Sequence, residues 1–335
     1  MKIITSLTSL RNKVPYPILT IGAFDGIHLG HQEIIRTVKE RAREKKGTCL
    51  LMTFRDHPLR VLDPKNAPAL ITPPEIKQEI LRGLGLDLLI WVPFTQELSE
   101  KEPRAFVKEV LVGTLGVKEV WVGFDYAFGK DRKGDTLLLQ ELGQELGFLV
   151  GIVPPVIEGG EIISSTRIRD LLGAGRVGDA SRLLGRPYII RGRVAKGRGR
   201  GKELGFPTSN LKPTPGFLLP NGIYAGYAKL GDQAWKAAID VGIAPTLRGK
   251  DRRIEVHMLG FAGELYRRTM EVHFLKRIRE ERRFPDEQTL IRQIREDIAL
   301  VGRLLSEDAE ETPSVPLAAG FLGRHPDQES SKLAG

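Results

Sequence analysis

Two histidines three residues apart, His28 and His31, stand in the decamer GAFDGIHLGH (22–31), directly behind the apolar run Ile18 to Ile21. Where a strand turns into a helix, the first backbone N–H groups of the helix lack partners and its positive end favours anions. Two imidazole donors beside them would hold a triphosphate. Gly22, Gly26 and Gly30 would let a nucleotide approach the backbone closely. The same residues also fit a helix cap plus a surface histidine. As a zinc site they fall short, because zinc usually wants three or four protein ligands.

A second cluster is basic. Between Arg191 and Lys202 there are six Lys and Arg in twelve residues, interleaved with Gly192, Gly197, Gly199 and Gly201. Alone, RGRVAKGRGRGK reads as an RNA-binding loop, although it contains no aromatic side chain on which a base could stack. The net charge of +9 asks for an anionic partner, either nucleic acid or phosphorylated small molecules.

The elements that must position these residues follow two patterns. From Ile18 to about Val156, short apolar runs alternate with helical periodicity: ILTIGAF and helix 31–45, TCLLMTF and helix 73–83, LDLLIWVPF and helix 100–112, VKEVWVGF and helix 136–147, then LVGIVPPV. This predicts an α/β domain, a doubly wound parallel sheet with helices on both faces. Ile34, Ile35, Val38 and Ala42 form the stripe that packs the first helix on the sheet. Thr72 with Pro73 and Glu75, and Ser99 with Glu102, read as capping boxes. Sheets of this kind bind ligands beyond the carboxyl ends of their strands, where the decamer lies.

After Gly185 the runs YIIRGRVA, GIYAGYAKL, AWKAAIDVG, RRIEVHMLGF and TMEVHFL, joined by Gly-, Pro- and Asn-containing turns, predict a mainly antiparallel β-barrel. An amphipathic helix over about 286–305, with Leu290, Ile291, Ile294, Ile298 and Val301 at helical spacing, is expected to close it. Residues 307–335 read as a disordered tail. The expected domains are therefore 1–185, 186–306 and the tail. With 335 residues, 41% of them hydrophobic, the chain can build a core in each domain. It has no apolar run of about 20 residues and no signal peptide, so a soluble, cytoplasmic protein with no membrane partner is expected. The single cysteine, Cys49, reads as a small buried strand residue. Nothing in the sequence specifies the oligomeric state.

The decamer resembles the signature of the nucleotidyltransferase superfamily that includes small-molecule adenylyltransferases and class I aminoacyl-tRNA synthetases. In its fuller form it is similar to the bacterial riboflavin kinase/FAD synthetase family. Further blocks match that family in order: TFRDHP at 53, VGFDYAFGKDRKGD at 122, ISSTRIRDLL at 163, GRGKELGFPTSN at 199, LPNGIYA at 219, IEVHMLGF at 254 and IREERRF at 278. The resemblance implies two ATP-dependent reactions. The barrel would phosphorylate riboflavin to FMN, and the N-terminal domain would adenylylate FMN to FAD with release of pyrophosphate. Mg²⁺ would be the cofactor and no nucleic acid a partner.

Carried over residue by residue, the resemblance puts His28 and His31, with Gly22, Phe24, Asp25 and Gly30, at the ATP phosphates. Ser164, Thr166 and Arg167, joined by Arg169, would face the same phosphates from the other side, with Ser165 a cap. His57, Pro58, Asp125 and Phe128 would serve the flavin, and Arg132, Gly134 and Asp135 complete the latter loop. Arg55 and Asp56, where the family more often reads TFEPHP, and Ala23 and Ala127 depart from its pattern.

In the second domain Gly197, Gly201 and Lys202 would meet phosphates, while Thr208 and Asn210 would hold the metal, a hard cation that prefers oxygen. Alternation in RRIEVHMLGF sends Ile254, Val256 and Met258 to one face and Glu255, His257 and Leu259 to the other. Glu255 matches the catalytic glutamate, placed to accept the proton of riboflavin's terminal hydroxyl. Its simpler reading is an exposed carboxylate paired with a neighbouring Arg. Arg279 and Phe284 would be flavin-site residues. Two other readings stay open: another nucleotidyltransferase with a nucleic-acid-binding barrel, and a non-enzymatic RNA-binding protein.

Overall fold

The computed structural model describes residues 1–7, 14–196, 200–213, 219–246 and 249–311, and the chain divides into two compact units, Met1–Ser165 and Thr166–Gly335.

In the first unit β1 (Lys2–Ile4), β2 (Pro17–Ile21), β3 (Thr48–Phe54), β4 (Leu88–Val92), β5 (Glu119–Gly123) and β6 (Leu149–Val153) form one sheet in the order β1-β4-β3-β2-β5-β6. Every pairing in it is parallel. Strands β2 and β4 are buried along their whole length, as parallel strands covered on both faces must be. The connecting helices are α1 (Leu29–Lys45), α2 (Leu59–Leu62), α3 (Pro74–Gly83), α4 (Gln96–Ser99), α5 (Pro103–Ala105) and α6 (Thr136–Leu146). The hairpin β7 (Ile157–Glu158) and β8 (Glu161–Ile162) follows β6. From β2 the chain builds outward through β3 and β4 and then crosses back to β5. The sheet's switch point therefore lies between β2 and β5, the place where sheets of this kind bind ligands.

Three local expectations change. Thr72 does not cap α3: Pro73 stands there with no side-chain cap, and Thr72 is buried with its amide donating to Asp25 Oδ1 at 3.2 Å. Ser99 ends α4 instead of starting a helix, its Oγ donating to the Gln96 carbonyl at 2.7 Å, and Thr95 is the cap. Residues 106–114 form π-helical turns rather than an α-helix, with Leu115 N donating to Val110 O at 2.9 Å, five residues back. The wider turn still buries Phe106, Val107, Val110 and Leu111. Cys49 is buried in β3, and burial pushes its thiol up to about 12, as suits an inert strand residue.

The second unit contains α7 (Ser165–Gly173), α8 (Val177–Leu184), β9 (Tyr188–Ala195), α9 (Arg200–Glu203), β10 (Ser209–Pro213), β11 (Gly222–Leu230), β12 (Gln233–Thr246), β13 (Gly249–Met258), β14 (Thr269–Arg279) and α10 (Glu287–Glu311). The strands form a closed barrel, β10-β13-β12-β11-β14-β9, with β10 pairing both β13 and β9. Tyr224, Ile239, Val241, Ile254, Val256, Val272 and Phe274 fill it, Tyr224 edge-on to Phe274 at 5.5 Å. At Gly226, where the β11–β14 register shifts, a Cβ would run into the His273 carbonyl.

The barrel is closed by its own strand β10 and not by the terminal helix. Helix α10 lies on the outside, Val301 and Leu305 packing with Ala225, Tyr227 and Ala238. It continues to Glu311, so the first residues assigned to the tail are helical, and 312–335 lie outside the described residues.

Candidate active sites

The first site begins where β2 ends. The loop from Gly22 to His28 holds positive φ at Phe24 (46°), Gly26 (85°) and Ile27 (43°). For the two non-glycine residues that backbone is strained, and their burial locks it. The buried carboxylate of Asp25 accepts the Ile71 amide at 3.1 Å and that of Thr72, and Ser165 Oγ donates to the Asp25 carbonyl at 2.9 Å. Asp25 thus fixes the loop. Ser165, the last residue of the first unit and expected as a cap, holds the loop's backbone instead.

His28 caps α1: its Nδ1 accepts the His31 backbone N–H at 3.3 Å. The two imidazoles stack, with centroids 3.7 Å apart and planes 19° apart, and Phe24 lies 5.0 Å from His31. Cap and paired imidazoles, alternatives in the sequence, coexist here. A Cβ at Gly30 would come within 3.2 Å of the His28 ring and one at Gly22 within 3.3 Å of Phe24. These glycines make room for the protein's own rings.

Sequence reasoning missed Lys77. On α3 and buried, its Nζ donates to Ala23 O at 2.6 Å, Thr53 Oγ1 at 2.8 Å and Phe54 O at 3.4 Å, 5.3 Å over the Trp91 ring. Thr53 Oγ1 in turn donates to Ala23 O. One ammonium therefore ties the carboxyl ends of β2 and β3. Burial lowers it to about 8, so it is still charged at neutral pH. Lys77, Asp25, Arg55 and His57 line one small cavity. His57 Nδ1 accepts the Leu59 amide at 3.2 Å, and Pro58 heads α2. Asp56 pairs with Arg60 at 3.6 Å on the surface.

In the 124–135 loop, Asp125 and Arg132 are exposed and Phe128 is buried, 5.5 Å from Tyr126 and 6.0 Å from Phe106. Phe128 exchanges backbone hydrogen bonds with Gly134, both at 2.9 Å, and Asp135 caps α6 through the Leu138 amide at 2.9 Å. Ser164 precedes α7, and Thr166, Arg167 and Arg169 lie within α7, in the second unit.

The second site lies on the outer face of the barrel. Glu255 on β13 accepts from Thr208 Oγ1 at 3.3 Å, pairs with Arg253 at 3.2 Å and stands opposite Asn210 of β10. Thr208, Asn210 and Glu255, distant in sequence, meet here, and the neighbouring Arg of the simpler reading is present as well. A Cβ at Gly201 would lie 2.9 Å from Thr208 Oγ1. Lys202 follows in α9, and Gly197 lies outside the described residues.

Arg279 forms a two-pronged pair with the buried Asp297 of α10 (3.0 and 2.6 Å) and lies 5.8 Å over Phe284. A second residue unsuspected from sequence, Asp240 of β12, stands opposite Glu255 on the side away from Asn210. Burial pushes its carboxyl up to about 6 against the pull of Arg253.

A family model for FAD synthetase matches residues 12–167, and one for riboflavin kinase matches residues 184–305. Curated proteins named bifunctional riboflavin kinase/FMN adenylyltransferase are similar over most of the chain. That of Pseudomonas fluorescens is 35% identical over 310 residues, 92% of this chain and 99% of the relative. Those of Escherichia coli K12 and Bacillus subtilis 168 are each 36% identical, over 84% of this chain and 90% of the relative. A crystal structure described as a macrolide-efflux protein from Streptococcus pneumoniae is similar with a TM-score of 0.83 at 30% identity, over 90% of this chain and 99% of that one. Among the described residues, no helix is long and apolar enough to cross a membrane.

Proposed function

The chain belongs to the bifunctional riboflavin kinase/FMN adenylyltransferase family, and from that premise we propose which residues carry each reaction. It phosphorylates riboflavin to FMN and adenylylates FMN to FAD, with ATP as co-substrate of both.

In adenylylation a phosphate oxygen of FMN attacks the α-phosphorus of ATP. Both partners are anionic and charge grows on the departing pyrophosphate, so the site must supply alignment and positive charge rather than a base. Stacked His28 and His31 at the start of α1 supply donors beside a helix N-terminus, and Lys77 adds a fixed charge nearby. Ser164, Thr166, Arg167 and Arg169 are proposed phosphate ligands on their motif alone. His57, Pro58 and Asp125 are proposed for the flavin, with the buried Phe128 bracing the 124–135 loop that carries Asp125. The net charge of +9 is read as the counterpart of polyanionic substrates, with no nucleic acid involved.

In phosphorylation Glu255 takes the proton of riboflavin's terminal hydroxyl as that oxygen attacks the γ-phosphorus. Thr208 and Asn210 beside it offer an all-oxygen donor set that fits Mg²⁺, which when bound supplies charge to the transferring phosphoryl group. Gly201 and Lys202 are proposed for the ATP phosphates, Arg279 and Phe284 for the flavin.

The observation that carries the kinase assignment is the meeting of Thr208, just before β10, and Asn210 of β10 with Glu255 of the neighbouring β13. Incubation with riboflavin, ATP and Mg²⁺, followed by separation of the flavins, tests the whole. FMN should appear first and FAD after it; recovery of unchanged riboflavin would overturn the assignment.

A further inference from the structure

The antiparallel registers place five side chains in one row across the barrel: Asn210 on β10, Glu255 on β13, Asp240 on β12, Ile223 on β11 and Arg279 on β14. Their neighbours Ile254, Val256, Ile239, Val241 and Tyr224 point into the core, so Glu255, Asp240 and Ile223 point out. Asp240 therefore stands between the proton acceptor Glu255, one strand spacing (about 4.8 Å) away, and the pair Arg279 and Phe284 proposed for the flavin ring.

Three more facts single it out. Arg253 reaches both carboxylates, Asp240 at 3.6 Å and Glu255 at 3.2 Å. A Cβ at Gly242 would meet Glu281 Oε1 at 3.2 Å, Arg253 Nε at 3.3 Å and Asp240 Oδ1 at 3.6 Å, so these groups converge over a glycine that leaves them room. Asp240 Oδ1 and Arg253 Nε are both buried and without a hydrogen-bond partner among the described residues. One acceptor and one donor are thus left waiting side by side, a costly state that calls for a ligand.

We propose that Asp240 and Arg253 bind the ribityl chain of riboflavin, Asp240 Oδ1 accepting from and Arg253 Nε donating to hydroxyls next to the one that is phosphorylated. This rests on Glu255 being the proton acceptor. The chain joins the flavin ring to the reacting hydroxyl, so it must pass whatever lies between the two ends of the row. A hydroxyl is donor and acceptor at once and fits both waiting atoms. A phosphate there would face Asp240, Glu255 and Glu281, and a metal ion would face the Arg253 guanidinium; both are disfavoured. Burial, with the nearby Glu255 and Glu281 carboxylates, holds the Asp240 carboxyl high, and a substrate donor would bring it down.

The test uses the full chain and two flavins: riboflavin, and an analogue with an ω-hydroxypentyl side chain, which keeps the terminal hydroxyl and loses the others. Asp240→Ala should lower kcat/KM for riboflavin about 10- to 100-fold, the range for hydrogen bonds to a charged group, mainly through KM. KM for Mg-ATP and adenylylation of supplied FMN should hold. On the analogue Asp240→Ala and the parent should react alike. Asp240→Asn, which keeps the volume, should narrow the parent's preference for riboflavin over the analogue, a ratio insensitive to the fraction folded. Equal loss on both flavins, an unchanged KM for riboflavin, or a loss confined to Mg-ATP would overturn the proposal. Failure of the Glu255 reading would show separately, as a Glu255→Gln chain that still phosphorylates riboflavin at the parent rate.

Discussion

His28 holds two relationships to His31 at once: its ring lies 3.7 Å from the other ring, and its Nδ1 accepts the other residue's backbone N–H. In the neutral ring the proton then sits on Nε2, so the cap also decides which atom would donate to a phosphate in the proposed role.

Cap and donor can be separated. His28→Ala should lower the thermal stability of the first unit by about 0.5–2 kcal/mol, the usual cost of a lost N-cap, and remove FAD formation. His28→Asn should restore most of the stability without restoring FAD formation. His28→Ala with His31→Ala should accumulate FMN from riboflavin, since those donors are proposed to serve only adenylylation. Thermal melts and flavin separation read all three. A double variant that loses both reactions while folded would point to one shared ATP site.

Glu255→Gln keeps size and an acceptor but no basic carboxylate, and should lower riboflavin phosphorylation by roughly 10²- to 10⁴-fold. FMN supplied directly should still become FAD at the parent rate. Steady-state kinetics decide: kinase activity within a few-fold of the parent leaves Glu255 at most a positioning residue.

Lys77→Met removes the ammonium that joins the ends of β2 and β3. Its hydrogen-bond partners are neutral, and the buried Asp25 carboxylate, which feels its charge, keeps the Ile71 and Thr72 amides. The expected result is a folded protein whose FAD formation falls at least about tenfold while its kinase rate is unchanged. Because burial sets Lys77 at about 8, its charge is lost as pH rises through that value. Adenylylation in the parent should decline above pH 8 with a component that Lys77→Met lacks; identical pH profiles would remove Lys77 from the site.

Glu271 carries an acid-stability prediction. Its hydrogen bond to His273 (3.3 Å) and its contact with Arg191 (3.0 Å) hold its carboxyl down to about 2 from 4.5. A depressed carboxyl stabilises the fold above its unfolded value, and that contribution is lost as pH falls from about 4.5 toward 2. Glu271→Gln should flatten this acid limb by on the order of 2 kcal/mol, read by hydrogen exchange of β9 and β14 amides. An acid limb as steep as the parent's would refute it.

The alternation of apolar runs and helical stretches marked five of the six parallel strands, because strands buried on both faces leave unbroken apolar runs. β1 escaped since Lys2–Ile4 is too short to show a period. β10 escaped because Ser209–Pro213 carries polar residues and a proline on a strand whose importance lies in its two pairings. The motif residues Thr208, Asn210 and Glu255 were legible one by one, but not their adjacency, which only register determines. Lys77 and Asp240 were invisible for a common reason. A lysine on a helix and a polar residue in an alternating strand both read as solvent-facing, and neither composition nor period reveals which neighbours cover them. The caps expected at Thr72 and Ser99 failed because the distant Asp25 carboxylate holds the Thr72 amide and the Ser99 hydroxyl bonds back to Gln96 within α4.

The five-residue seam β10 has one more effect. It is the strand that shuts the cylinder, and it also delivers Asn210 opposite Glu255. If the proposed roles of Asn210 and Glu255 hold, catalytic assembly and topological closure are one cooperative event, and a barrel that breathes open at this seam would lose its chemistry before its core. Turnover at rising temperature should fade ahead of global melting, and selection for activity would conserve closure without acting on stability as such.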